Sequence, residues 1–146
     1  MPYHPIGKLR LVLHTFVMYD SLWYDNLTKP LLQPPSWIFS PVWIILYGTI
    51  LAAVILYSVT ITTKNKAGGY ICFVIHMILN ILWSPVFFYL HKVDIALIIL
   101  FLMDFLAALM ISRFFCVSKL AGIILFPYFI WLMFATYLNI QILILN

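Results

Sequence analysis

Residues 41–63 read PVWIILYGTILAAVILYSVTITT, and none of them carries a charge. A helix that crosses the hydrocarbon core of a bilayer needs about 20 mostly apolar residues. This stretch meets that requirement by itself, and the rest of the chain repeats the pattern. Tyr70 to Leu90 is again uncharged, His76 aside. Ile95 to Ser112 is apolar except for Asp104, and Leu120 to Asn146 carries no charge. The separators are short and polar: Lys64 to Gly69, His91 to Asp94, and Arg113 to Lys119. Ahead of them, Leu9 to Trp23 is largely apolar but contains Arg10, His14 and Asp20. No small-x-small cleavage site follows it, so it reads as a fifth, short or tilted helix rather than a signal peptide. The expected architecture is an all-α integral membrane protein. Residues 1–146 form one domain, with five transmembrane helices near 6–23, 41–63, 70–90, 94–112 and 120–144.

Composition agrees. Of 146 residues, 66% are hydrophobic and 8% charged. A soluble domain is about half apolar and a quarter charged, and a core of this size cannot hide so much apolar surface. The net charge of +4 comes from eight scattered Lys and Arg against four Asp. They form no basic stripe, so nucleic acid is not an expected partner. Five helices put the termini on opposite faces. Lys8, Arg10, Lys64, Lys66, Arg113 and Lys119 then share the N-terminal side, against Lys29 and Lys92 on the other. The positive-inside rule predicts a cytoplasmic N-terminus.

The link from Tyr24 to Pro41 holds Pro30, Pro34, Pro35 and Pro41. Proline fixes one backbone dihedral and resists regular helix, so this is a stiff, structured loop between the first and second helices. Trp23, Tyr24 and Trp37 flank it as interfacial aromatics do.

The usual catalytic constellations are missing. There is no glutamate, and only Asp104 of the four aspartates lies deep in a helix. At mid-membrane an aspartate costs a few kcal/mol unless paired or wet, and a structural role is expected for it. Cys72 and Cys116 lie in apolar runs without ligand spacing, and no metal site is expected. A histidine such as His76 in an apolar helix is more often a hydrogen-bonded packing residue than a ligand.

The aromatic side chains are patterned. Trp43 and Tyr47 are four apart. Asn80, Trp83 and Phe87 share one helix face, and Trp131, Ala135, Leu138 and Asn139 share another. Such faces suit ordinary helix packing, where small residues and amides join helices. They equally suit a large, flat, apolar ligand held between rings.

Three blocks closely resemble the TspO/MBR family of tryptophan-rich sensory and translocator proteins, also called peripheral-type benzodiazepine receptors. The first runs Trp23-Tyr24-x-x-Leu27-x-Lys29-Pro30, Pro34-Pro35-x-Trp37 and Pro41-x-Trp43-x-x-Leu46-Tyr47. The second is Leu79-Asn80-x-x-Trp83-x-Pro85-x-Phe87-Phe88. The third is Pro127-Tyr128-x-x-Trp131-x-x-Phe134-Ala135-Thr136-x-Leu138-Asn139. Order and spacing hold from Trp23 to Asn139, most of the chain.

The resemblance implies a five-helix bundle, often a homodimer, with one pocket closed by the proline-rich loop. It implies a ligand set of Phe39, Ser40, Val42, Trp43, Tyr47, Asn80, Trp83, Phe87, Trp131, Ala135 and Leu138. Pro30, Pro34, Pro35 and Trp37 would form the lid. The family binds porphyrins and related tetrapyrroles, and its animal members bind cholesterol and benzodiazepine-type drugs. The expected ligand is therefore porphyrin or haem, with no required cofactor, and the expected role is sensor, carrier or scavenger in a bacterial cell membrane. Some bacterial members promote light-dependent breakdown of protoporphyrin, which would make Trp43 and Trp131 catalytic. A lipid or sterol carrier is the third reading. This chain departs from the family at Leu32, where a Trp is common, and at Ile95-Ala96-Leu97-Ile98-Ile99, where Trp-Ala-Leu-x-Asp is common. The sterol consensus expected after the last helix is absent from Ile140 to Asn146.

Overall fold

A computed structural model describes residues 21–146. The predicted first helix lies almost wholly outside the described residues, which hold only its end as a short helix α1, Ser21–Asp25. Then come α2 (Ser36–Val59), α3 (Ala67–Ser84), α4 (Val93–Val117), α5 (Lys119–Ile124) and α6 (Phe126–Leu145). Among the described residues there are no strands. Four stretches are long and apolar enough to cross a membrane: Trp37–Val59, Ala67–Tyr89, Val93–Val117 and Lys119–Leu145. The protein is an integral membrane protein of apolar helices.

Proline and serine set most of the boundaries. α2 begins at Ser36, earlier than the predicted 41, directly behind extended Pro35. Pro41 lies inside the helix and cannot donate to the Trp37 carbonyl, but the ladder continues past it. At the far end of α3, Pro85 likewise lacks an N–H. There the helix widens into a π-helical turn over Pro85–Tyr89, closed by Leu90 N–H to the Pro85 carbonyl at 2.9 Å. The wider turn carries Phe87 inward, to 2% exposure. His91, with φ of 56°, then reverses the chain into α4. Ser118 leaves α4 in extended geometry, and its Oγ accepts the Ala121 N–H to cap α5. Pro127, in the first turn of α6, marks the restart of the last span.

α4 packs along α3 on one side and along α6 on the other, while α2 leans on α5 and α6. Small residues make this approach close: Ala53, Ala107 and Ala121 are completely buried. Gly122 sits where any Cβ would come within 2.7 Å of the Phe115 Cβ. Tyr57 stacks on Phe114 at 4.1 Å in the same core. Large apolar side chains such as Ile44, Leu51 and Ile55 of α2 and Ile98 and Phe105 of α4 are exposed. On a membrane protein these face lipid, which is as apolar as they are.

A few polar ties join the helices. Thr136 donates to Asp104 at 2.8 Å, giving the one acid deep in a described span a partner on the neighbouring helix. The loop before α2 is clasped from the end of α6. There Asn146 accepts the Thr28 N–H through Oδ1 and donates to the Thr28 carbonyl through Nδ2, both at 3.0 Å.

Candidate functional site

The ends of α2, α3 and α6 nearest the 26–35 loop enclose a cavity of about 710 Å³. That is within the size range of small-molecule sites. Its walls are aromatic. On one side, Phe39 meets Trp131 edge to face at 6.0 Å, Trp131 meets Phe134 at 5.4 Å, and Trp43 lies 5.7 Å from Tyr47. On the other, Trp83 stacks on Phe87 at 5.0 Å, with Phe88 edge-on at 5.7 Å. Leu100 and Met103 of α4 contribute to the lining.

Ten of the eleven predicted ligand residues line this space: Phe39, Ser40, Trp43, Tyr47, Asn80, Trp83, Phe87, Trp131, Ala135 and Leu138. Val42 does not, and packs instead against the main core. The four residues predicted for the lid do not line it either. Pro30 is buried, Pro34 half-buried and Pro35 exposed, while Trp37 is 73% exposed. That part of the chain contributes Tyr24 and Gln33 instead, joined by a 2.6 Å hydrogen bond from Gln33 Nε2 to the Tyr24 hydroxyl.

Leu32, Ile95 and Ile99, the departures from the motif, are not in the lining either. Leu32 is 65% exposed.

Sequence reasoning missed Gln33, Met103, Phe134 and Asn139 as lining residues. Asn139 shares the helical face of Trp131 and Ala135, so its spacing was a usable signal. Gln33 and Met103 reach the cavity only through tertiary packing, and no local pattern marks them.

Behind the cavity wall runs a directed chain of hydrogen bonds. Tyr47 donates to Asn80 Oδ1 at 2.5 Å, and Asn80 Nδ2 donates to the Tyr128 oxygen at 3.1 Å. The Tyr128 oxygen lies 2.5 Å from His76 Nε2. The direction of that bond follows the imidazole tautomer: with the ring proton on Nδ1, the Tyr128 hydroxyl donates to His76 Nε2. His76 and Tyr128 are fully buried. The chain fixes the Asn80 carboxamide and ties Tyr47 of α2 to α3.

The sequence model of the TspO/MBR family matches residues 9–145. The chain is 41% identical to the tryptophan-rich protein TspO of Chlorobaculum tepidum, covering 90% of this chain and 85% of that one. It is 34% identical to the tryptophan-rich sensory protein of Cereibacter sphaeroides, covering 85% and 77%. It is 36% identical to the human translocator protein, covering 85% and 75%.

Proposed function

The chain belongs to the TspO/MBR family, and on that premise we propose that it binds a tetrapyrrole, porphyrin or haem, in the aromatic cavity. The observation that carries this reading is the pair of aromatic walls, Phe39, Trp43 and Trp131 against Trp83 and Phe87, around one apolar space. A flat conjugated ring buries its faces there and stacks on indoles, each aromatic pair adding about 0.5–1.5 kcal/mol beyond burial. The protein then acts as sensor, carrier or scavenger without a cofactor of its own. In this reading residues 6–23 supply a fifth spanning helix, and the proline-rich loop with Pro30, Pro34, Pro35 and Trp37 closes the site from outside. A homodimer in a bacterial cell membrane is the expected assembly.

Orientation follows from charge. Lys64 donates to the Cys116 carbonyl at 2.7 Å, and the Arg113 guanidinium lies over Gly68. Lys64, Lys66, Arg113 and Lys119 thus gather at one end of the bundle. That clustering supports a cytoplasmic placement of this end and of the N-terminus.

Titrating protoporphyrin and haem into the purified chain while following tryptophan emission tests the reading. Saturable quenching that Trp43→Ala and Trp131→Ala weaken is the expected result. Unsaturable quenching, indifferent to both variants, would refute it.

A second reading draws on the indoles themselves. Trp43 and Trp131 both border the cavity, within reach of a bound ring. If the bound porphyrin is consumed in light, those two side chains carry the reaction.

A further inference from the structure

The positive charge at one end of the bundle has no counter-charge there among the described residues. The turn between α2 and α3 carries Lys64 and Lys66, the end of α4 carries Arg113, and α5 opens on Lys119. Asp25 and Asp94 belong to the other end, and Asp104 lies in the middle of α4. Two of the cations are held in place. Lys66 Nζ donates to the Ser58 and Thr60 carbonyls, both at 2.8 Å, and Lys64 Nζ donates to the Cys116 carbonyl at 2.7 Å. Those carbonyls close α2 and α4, and the partial negative charge of a helix end offsets only part of an ammonium. An ammonium has three N–H groups, so Lys66 keeps one and Lys64 two for a further acceptor.

Ser58 joins this charge to an apolar groove. Its carbonyl accepts from Lys66, and its Oγ accepts the Tyr70 hydroxyl at 2.6 Å. Tyr70 in turn lines a shallow groove of about 270 Å³ with Ile71, Val74 and Ile75, the first turns of α3. Those three aliphatic side chains are about half exposed, toward lipid. The helix ends place the cations at the level of the lipid head groups, where basic clusters attract anionic lipids. We infer that this end of the bundle docks one anionic glycerophospholipid. Its phosphate takes the free donor of Lys66, and one acyl chain lies along Tyr70, Ile71, Val74 and Ile75. Lys64, Arg113 and Lys119 add to the attracting potential. A water-borne anion gains nothing from the groove, and a zwitterionic lipid brings a cation of its own to the lysines. Because Lys64 and Lys66 are already fixed by the carbonyls, little side-chain freedom is lost on binding. The inference is independent of what the aromatic cavity holds, since that cavity lies toward the opposite end.

Native mass spectrometry of the full chain, released from nanodiscs of phosphatidylcholine mixed with phosphatidylglycerol of the same acyl chains, counts the lipids retained. Phosphatidylglycerol should be favoured about tenfold, the scale expected of one or two cations facing an anionic head group. Lys66→Gln should bring the two lipids near parity, and Lys66→Arg should restore the preference. Lys92→Gln, at the other end, should leave it unchanged. Ile71→Trp fills the groove from an exposed position and should lower retention of phosphatidylglycerol without unfolding the chain, as circular dichroism checks. That variant keeps the test decisive if Lys66→Gln, which also loses two hydrogen bonds to α2, fails to fold. Inorganic phosphate at the same concentration should not displace the lipid. Equal retention of both lipids by the parent chain overturns the inference, as does a preference that survives Lys66→Gln or is lost equally in Lys92→Gln. Displacement by inorganic phosphate, or full retention in Ile71→Trp, would leave a bare anion site and overturn the lipid.

Discussion

Tyr128 and His76 come from α6 and α3, 52 residues apart in sequence, and share a 2.5 Å hydrogen bond in a region with no solvent exposure. Asn80 donates to the same phenol oxygen, so one hydroxyl serves two buried partners. Tyr128→Phe keeps the ring and strands both. Net hydrogen bonds between membrane helices average about 0.6 kcal/mol, with a maximum near 1.7. The loss of two should therefore cost about 1–2 kcal/mol, read as a fall in Tm of the detergent-solubilised protein. Tyr70→Phe removes a hydroxyl whose bond to Ser58 is solvent-exposed, and should be near neutral. Equal effects of the two changes would mean the buried chain contributes nothing special.

Gly122 and Gly48 form a matched pair for packing. A Cβ on Gly122 meets the Phe115 Cβ at 2.7 Å and its Cα at 2.9 Å, whereas one on Gly48 meets nothing within 4 Å. Gly122→Ala should destabilise by about 1–3 kcal/mol, the range for overpacking. Gly48→Ala should be neutral or stabilising, since alanine is the better helix former by about 1 kcal/mol. Thermal unfolding of both variants checks this, and an unchanged Tm for Gly122→Ala would show that α4 and α5 can separate freely.

Asn146 holds the loop at Thr28 through two hydrogen bonds and its own helix at Ile142 through a third. If the loop gates the cavity, Asn146→Ala should speed dissociation of bound porphyrin several-fold with little change in helix content. Replacing Pro34 and Pro35 with glycine should weaken binding through added loop entropy, by about 0.4–1 kcal/mol per site. Stopped-flow release and circular dichroism are the measurements. Release rates identical to the parent chain would make the loop a plain connector.

Trp131 separates binding from photochemistry. Phenylalanine preserves an apolar ring against Phe39 and Phe134, but is much harder to oxidise than indole. Trp131→Phe should slow any light-driven loss of protoporphyrin absorbance far more than it weakens affinity. A full photoreaction in the double variant Trp43→Phe, Trp131→Phe would remove the enzymatic reading and leave binding or transport.

Reporter fusions test the orientation. With four cations gathered at the end that holds the 60–66 turn, a C-terminal fusion should report the outer side. A cytoplasmic signal there would reverse the assignment.

The sequence by itself determined that this chain lives in lipid and that four of its stretches are long and apolar enough to cross it. Long uncharged stretches have no other stable home, and charge and proline mark their ends. Aromatic spacing on α3 and α6 also made most of the cavity legible, because residues sharing a helix face stay together wherever that helix packs. Helix periodicity is a local property, and it cannot say what lies opposite a face. The π-helical turn at Pro85–Tyr89 was not legible, since the missing proline N–H admits a kink as readily as a widened turn. Nor was the turning of Val42 into the core, or the arrival of Gln33 and Met103 at the cavity. Tertiary structure alone decided which polar atoms found partners. Asn80 and Asn139 are the same residue type at comparable depth. The Asn80 carboxamide has a partner at both its oxygen and its nitrogen, while Asn139 has one at its nitrogen alone, because the packing of the helices brings the hydroxyls of Tyr47 and Tyr128 to the first and none to the second.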